Sequence, residues 1–357
     1  MEPNKKNYYV EIKKLLKTRK ITLRIIVAPP RSASTLLENL FAAGTKSTKI
    51  HEPFLYFGHW EKEEDKILKT VYNQIKKNEE KDVILKEMSQ SIYEKAIYKK
   101  LFDLTEFPIL FAIRSPLLCV ESKIRVVLKS TEVKKRYMTQ RFLLNFYAKE
   151  NGEKSWAALE KKPANSKKMN FLSKIKDPYN TPNLKLQKKL LDYYTSKKGY
   201  KNWEKMINYA TNHQDYRHFE DLIKGIGKRV STNEFGWNQL KEEIDYCKKK
   251  KDFAILDTEE LRKNPEKTLK KITKIWKFKF KKNILTWKKG EFYEISKKNR
   301  ETDLIWYESL MNSNQIIPTR GPMPNLNLFP AHIQKYVKTI AMPKYNQLKK
   351  YGELIRT

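Results

Sequence analysis

Residues 29–35 read Pro-Pro-Arg-Ser-Ala-Ser-Thr, a basic and hydroxyl-rich turn. It lies between the β-branched run Ile25-Ile26-Val27-Ala28 and Leu36-Leu37, where an apolar helical pattern begins. Strand, loop and helix in that order point backbone N–H groups of a helix N-terminus at a phosphate or a similar anion. A triphosphate-binding loop of the G-x-x-x-x-G-K-[ST] form would supply glycines and a lysine there. Thr35 fits the last position, but Ala28 and Ala33 occupy the glycine positions and Ser34 the lysine position. Without the lysine that grips β- and γ-phosphates, ATP and GTP chemistry is disfavoured. Arg31 and the hydroxyls of Ser32, Ser34 and Thr35 are left to meet the anion.

Other chemistry-bearing residues follow strand-like runs. His51-Glu52-Pro53-Phe54 lies within a short segment at 48–57, and Lys86-Glu87-Met88 follows Val83-Ile84-Leu85. Arg114 ends the run Ile109–Ile113, with Ser122 eight residues later. His213 and His218 flank Asp215, but a five-residue spacing does not share a helix face, so no metal site is expected there. Cys119 and Cys247 are far apart and make no metal or redox spacing, which fits a reducing compartment.

The elements that must position these residues alternate. Leu23–Ala28, Val83–Leu85, Ile109–Ile113 and Phe253–Asp257 read as buried strands. Between them come helical patterns at 36–43, ending at Gly44, at 61–81, and after Ser115-Pro116, which supply an N-cap and a first helical residue. Thr258, followed by Glu259 and Glu260, reads as a further N-cap, and Pro265 opens the next helix. Such alternation predicts an α/β fold around a parallel sheet whose crevice lies at the carboxyl ends of its strands. Residues 1–20 form a basic lead-in, 21–128 and 236–317 the α/β core, 129–235 a lysine- and tyrosine-rich, mainly helical insertion, and 318–357 a tail packing on the core.

The formal charge is +34, carried by sixty-two lysines and only thirteen arginines. A lysine surplus spread along the whole chain reads first as a solvated surface, and second as a field that attracts polyanions. No apolar segment suits a signal peptide or a membrane span, so a soluble cytoplasmic protein is expected.

Taken together, the segments resemble the sulfotransferases that use 3′-phosphoadenosine 5′-phosphosulfate (PAPS). Pro30-Arg31-Ser32-Ala33-Ser34-Thr35-Leu36-Leu37 is similar to their 5′-phosphosulfate loop, written P-x-R-S-G-S-T-L-L in bacterial members. Arg114 and Ser122 look like the 3′-phosphate clamp, and Ile255–Leu261 with Asn264-Pro265 is similar to a late segment of the family. His51-Glu52-Pro53-Phe54 and Ile284–Gly290, which contains Lys289, resemble a bacterial branch. The likeness covers roughly 20–150 and 232–310.

The resemblance implies a P-loop-type three-layer sandwich and transfer of a sulfuryl group from PAPS, as co-substrate, to an acceptor hydroxyl or amine without a metal. In-line displacement builds negative charge on the leaving 5′-phosphate, so preorganised donors are the main lever. Ser32, Ala33, Ser34 and Thr35 would hold the phosphosulfate, Arg31 would neutralise the leaving oxygen, and Lys86 would stand near the sulfonate. Arg114, Ser122 and Lys289 would bind the nucleotide. The implied base is Glu52, with His51 and Glu87 behind it, and a carboxylate in that role requires a raised pKa. The acceptor is unidentified; residues 129–235 would shape the acceptor side, and their charge favours an anionic or polyhydroxylated partner. Each residue also has a plainer reading: helix cap, ion pair or loop carboxylate. A catalytically inactive basic module for nucleic acid or acidic glycans is the alternative, and a nucleotide kinase is weakened by the missing lysine.

Overall fold

The computed structural model describes residues 7–54, 64–77, 80–93, 97–124, 231–290, 309–318 and 323–351, with a few isolated positions besides. The chain divides into two compact units, one comprising 1–124, 227–293 and 308–357, the other 125–226 and 294–307. His213, His218 and nearly all of the expected insertion lie outside the described residues.

The first unit is built on five parallel strands: β1 (Thr22–Ala28), β2 (Thr48–His51), β3 (Asp82–Met88), β4 (Ile109–Ile113) and β5 (Phe253–Asp257), in the order β2-β3-β1-β4-β5. Parallel strands covered on both faces read as continuous apolar runs. Leu23, Ile25, Ile26, Val27 and Ala28 are accordingly all buried. One face packs Ile26, Ile84, Leu110 and Ala254 against α2 (Ser34–Thr45) and, further on, Leu269 and Ile272. On the other, Phe111 meets Phe102 and Phe253 edge-on, at ring separations of 6.0 and 6.1 Å.

Helix α1 (Tyr8–Arg19) buries Ile12 and Leu16 and packs against α3 (Glu64–Lys77), with Tyr8 and Tyr72 rings 5.8 Å apart. Short helices α4 (Ser89–Tyr93) and α5 (Ile97–Phe102) lead to β4, and 116–124 is helical (α6). After it come α7 (Trp237–Lys250), α8 (Thr258–Lys263) and α9 (Pro265–Ile275). The C-terminal helix runs as α10 (Ala331–Tyr336), a π turn (Val337–Ala341) and α11 (Met342–Tyr351), packing on α7 and β5. No helix among the described residues is long and apolar enough to cross a membrane.

Two local expectations are corrected. Helix α2 does not stop at Gly44 but continues to Thr45 and ends on left-handed Lys46. Gly44 is needed for packing instead, because a Cβ there would lie 2.6 Å from Ile284 Cβ. The cap of α8 is Asp257, whose Oδ1 accepts from Glu259 N at 3.0 Å, and Thr258 is the first helical residue. The carboxylate is the better acceptor for an N-terminal N–H, so it takes the cap.

Candidate functional site

The loop after β1 sits at the carboxyl edge of the central strand, flanked by β3 and β4. Among the described residues, six that are not glycine have a positive φ. Lys20, Lys46 and Lys277 end or follow helices, the ordinary place for that conformation. The other three, Arg31 (φ 67°), Ala33 (φ 62°) and Glu52 (φ 43°), follow the carboxyl ends of β1 and β2. Left-handed backbone costs an L-residue about 1–2 kcal/mol, and such strain collects where a site demands it.

The sign of φ alternates through Arg31, Ser32 and Ala33, the backbone pattern of loops that turn successive N–H groups toward an anion. Ala33 is the N-cap of α2 and offers no side-chain bond, so the first-turn N–H groups face outward uncapped. Loop and helix end are adjacent in the chain, and the helix end adds unpaired N–H donors and a positive dipole end. Ser32 departs from the expected role: its side chain is fully buried and its hydroxyl donates to Pro29 O at 2.7 Å, closing the turn. Ser34 and Thr35 remain in the helix's first turn.

A basic cluster adjoins the loop. Arg31 Nε donates to Ser122 Oγ at 3.0 Å, and Arg114 Nη1 donates to Arg31 O at 3.4 Å. Arg114 Nε also donates to Glu259 Oε1 at 2.7 Å, so a carboxylate orients this guanidinium. Arg262, which the sequence reading did not single out, lies near enough that its pKa is lowered, by burial first and by Arg114 second, while Glu259 offsets part of this. Arg31, Arg114 and Ser122 are brought together. Lys289 is exposed in the turn that ends at Gly290 and is not bonded to this cluster.

The ends of β2 and β3 supply the second group. His51 pairs in register with Lys86, and Glu52 N donates to Lys86 O at 2.8 Å. Lys86, only 2% exposed, forms an ion pair and hydrogen bond with Glu52 Oε1. Burial alone would push the Glu52 carboxyl up, but Lys86, His51 and Arg31 together hold it below the ordinary range. That corrects the raised pKa expected of this residue: it is a stable carboxylate and a poor proton acceptor. Glu87 points the other way along the pleat. It is buried and accepts from Phe54 N and Met88 N at 2.8 Å each. Its pKa is pushed up to about 8, by burial first and the Glu52 charge second.

His51 Nδ1 bonds Glu38 Oε2 at 2.6 Å, and its Nε2 stands 3.6 Å from Glu52 Oε1, beyond hydrogen-bond range. Glu38 lies fully buried on α2 and was missed in the sequence. The signal was present: it is the only charged residue of Ser34–Thr45, in a helix that is largely buried. A lone carboxylate in such a helix must find a partner. No protein-family model, no curated protein and no solved structure matches this chain.

Proposed function

We propose that this chain is a PAPS-dependent sulfotransferase with a P-loop-type core, moving a sulfuryl group to a hydroxyl or amine of an acceptor. One observation carries the reading: an uncapped, alternately handed anion loop shares one end of the sheet with the Arg31–Ser122–Arg114 cluster. A nucleotide phosphorylated at two positions needs two anion subsites, one of backbone N–H groups and one of guanidinium and hydroxyl. The loop and the cluster supply one of each.

Ala33 adds support. The similar family loop has glycine at this place, and here φ is 62°, a conformation that glycine adopts without strain. The chain keeps the backbone that the pattern requires with a residue that pays for it. Ser34, Thr35 and the loop N–H groups hold the 5′ side, Arg31 faces the leaving oxygen, and Arg114 with Ser122 takes the 3′-phosphate. Lys86 is committed to Glu52 and acts by fixing that charge beside His51.

A thermal-shift titration with adenosine 3′,5′-bisphosphate tests the reading. The parent is stabilised, and Arg31→Ala and Arg114→Ala lose most of the shift. A parent indifferent to this nucleotide, or variants that respond as the parent does, would reject it. A basic binding module would instead bind polyanions with steep salt dependence and ignore Arg114→Ala.

A further inference from the structure

We propose that Glu38 and His51 form a positioned acid–base dyad in which His51 Nε2 takes the acceptor proton and Glu38 is the positioning residue. The assignment rests on the sulfotransferase reading for its reaction, but its geometry stands alone.

With Glu38 as the carboxylate, an acceptor only, the 2.6 Å contact between Glu38 Oε2 and His51 Nδ1 assigns the ring proton to Nδ1 and leaves the lone pair on Nε2. Glu38 is fixed by burial on α2, the helix whose first turn would hold the sulfuryl donor. His51 is fixed by its pairing with Lys86 at the end of β2. The base and the anion loop are thus positioned by one helix. His51 keeps 15% of its side chain exposed, against 6% for Glu52 and 2% for Lys86. Of these three groups it is the one an acceptor can reach.

Charge favours the same assignment. Glu52 is ionised and tied to Lys86, and Glu87 is turned to the other face of the sheet with its oxygens on Phe54 N and Met88 N. An imidazolium formed at His51 has Glu38 at Nδ1 and Glu52 3.6 Å from Nε2. In the step itself, acceptor oxygen or nitrogen attacks sulfur and the bond from sulfur to the 5′-phosphate oxygen breaks. The electron pair leaves with adenosine 3′,5′-bisphosphate, and the acceptor proton passes to His51 Nε2 and then to solvent.

The test reads the tautomer directly. In uniformly 15N-labelled protein, long-range 1H–15N correlations separate Nδ1–H from Nε2–H, and five histidines are few enough to assign by His51→Gln. The parent shows the Nδ1–H form at His51. Glu38→Leu, an apolar replacement at an apolar site, shifts it toward Nε2–H, and Glu38→Gln, which retains an acceptor, keeps it. An Nε2–H form in the parent, or no change in Glu38→Leu, overturns the proposal. With PAPS and water as acceptor, nucleotide release in Glu38→Leu and His51→Gln falls about 10²–10⁴-fold, with bisphosphate affinity unchanged. Parental rates in both variants also overturn it. If the parent fails to bind the bisphosphate, the sulfuryl reading falls, while the tautomer still decides whether Glu38 positions His51.

Discussion

Arg31 Nε donates to Ser122 Oγ at 3.0 Å, tying the loop after the first strand to a helix 91 positions further along the chain. Arg114 reaches the carbonyl of the same arginine, and Glu259 holds Arg114 from behind. A left-handed arginine is therefore secured from both its side chain and its backbone. On the proposed reading an incoming phosphate would meet donors already gathered in one place, with little ordering left to oppose binding.

That arrangement grades the effects of mutation. Ser122→Ala removes a neutral donor and acceptor, worth about 0.5–1.5 kcal/mol, and weakens bisphosphate binding roughly 2- to 12-fold. Arg114→Ala removes a charged donor, worth about 1.5–3 kcal/mol, and weakens it further. Isothermal titration calorimetry at fixed salt reads both. An Arg114→Ala effect no larger than that of Ser122→Ala would place the second phosphate elsewhere.

Ala33→Gly tests the loop's strain. Left-handed alanine costs about 1–2 kcal/mol, and the greater freedom of glycine in the unfolded chain returns about 0.4–1 kcal/mol of that. The variant should be as stable as the parent or up to about 1.6 kcal/mol more so, and should still bind nucleotide. Ala33→Val, β-branched at φ 62°, should be clearly less stable in urea denaturation.

Much of this architecture was legible because parallel strands declare themselves. The runs at 109–113 and 253–257 coincide with β4 and β5, and 23–28 misses only the first residue of β1. Long-range consequences were hidden. Glu52 looks like an ordinary loop carboxylate until β2 pairs with β3 and lays Lys86 beside it, which reverses the expected direction of its pKa. Ser32 looks like an anion ligand until the turn folds its hydroxyl onto Pro29. Gly44 reads as a helix stop because the neighbour that requires it, Ile284, comes 240 positions later.

Gly44→Ala follows from that contact. A new Cβ would meet Ile284 Cβ at 2.6 Å and its Cα at 2.8 Å, and a Cα cannot swing aside as a flexible side chain can. Overpacking of this kind costs about 1–3 kcal/mol, against the stabilisation that alanine ordinarily brings to a helix. A lower denaturation midpoint with an unchanged slope is the expected result. A more stable variant would mean that α2 and the 282–285 turn are not in contact.

The pair of Lys86 and Glu52 should behave as a buried ion pair. Lys86→Met strands an ionised carboxyl in the core and costs about 3–5 kcal/mol. Adding Glu52→Gln removes the stranded charge and should recover most of the loss. Equilibrium denaturation of the two single variants and the double variant measures the coupling. Additive losses would show that the two side chains do not depend on each other.

The last prediction concerns Glu243, buried on α7, whose two carboxyl oxygens have no hydrogen-bond partner among the described residues. Burial raises its pKa well above 4.5, and the neighbouring charges of Glu87 and Glu242 raise it further. The folded chain therefore keeps this group protonated, while the unfolded chain releases the proton near the ordinary carboxyl value. Stability from this source is complete below that value and drains away as pH climbs toward the folded pKa, by up to about 1.4 kcal/mol per pH unit. Glu243→Met abolishes the dependence and removes a buried polar group. The variant should be more stable than the parent at pH 6, and its margin should widen by pH 8 in parallel urea denaturation series. A margin that is constant over that range would mean that Glu243 is already ionised in the fold by pH 6 and would overturn the prediction.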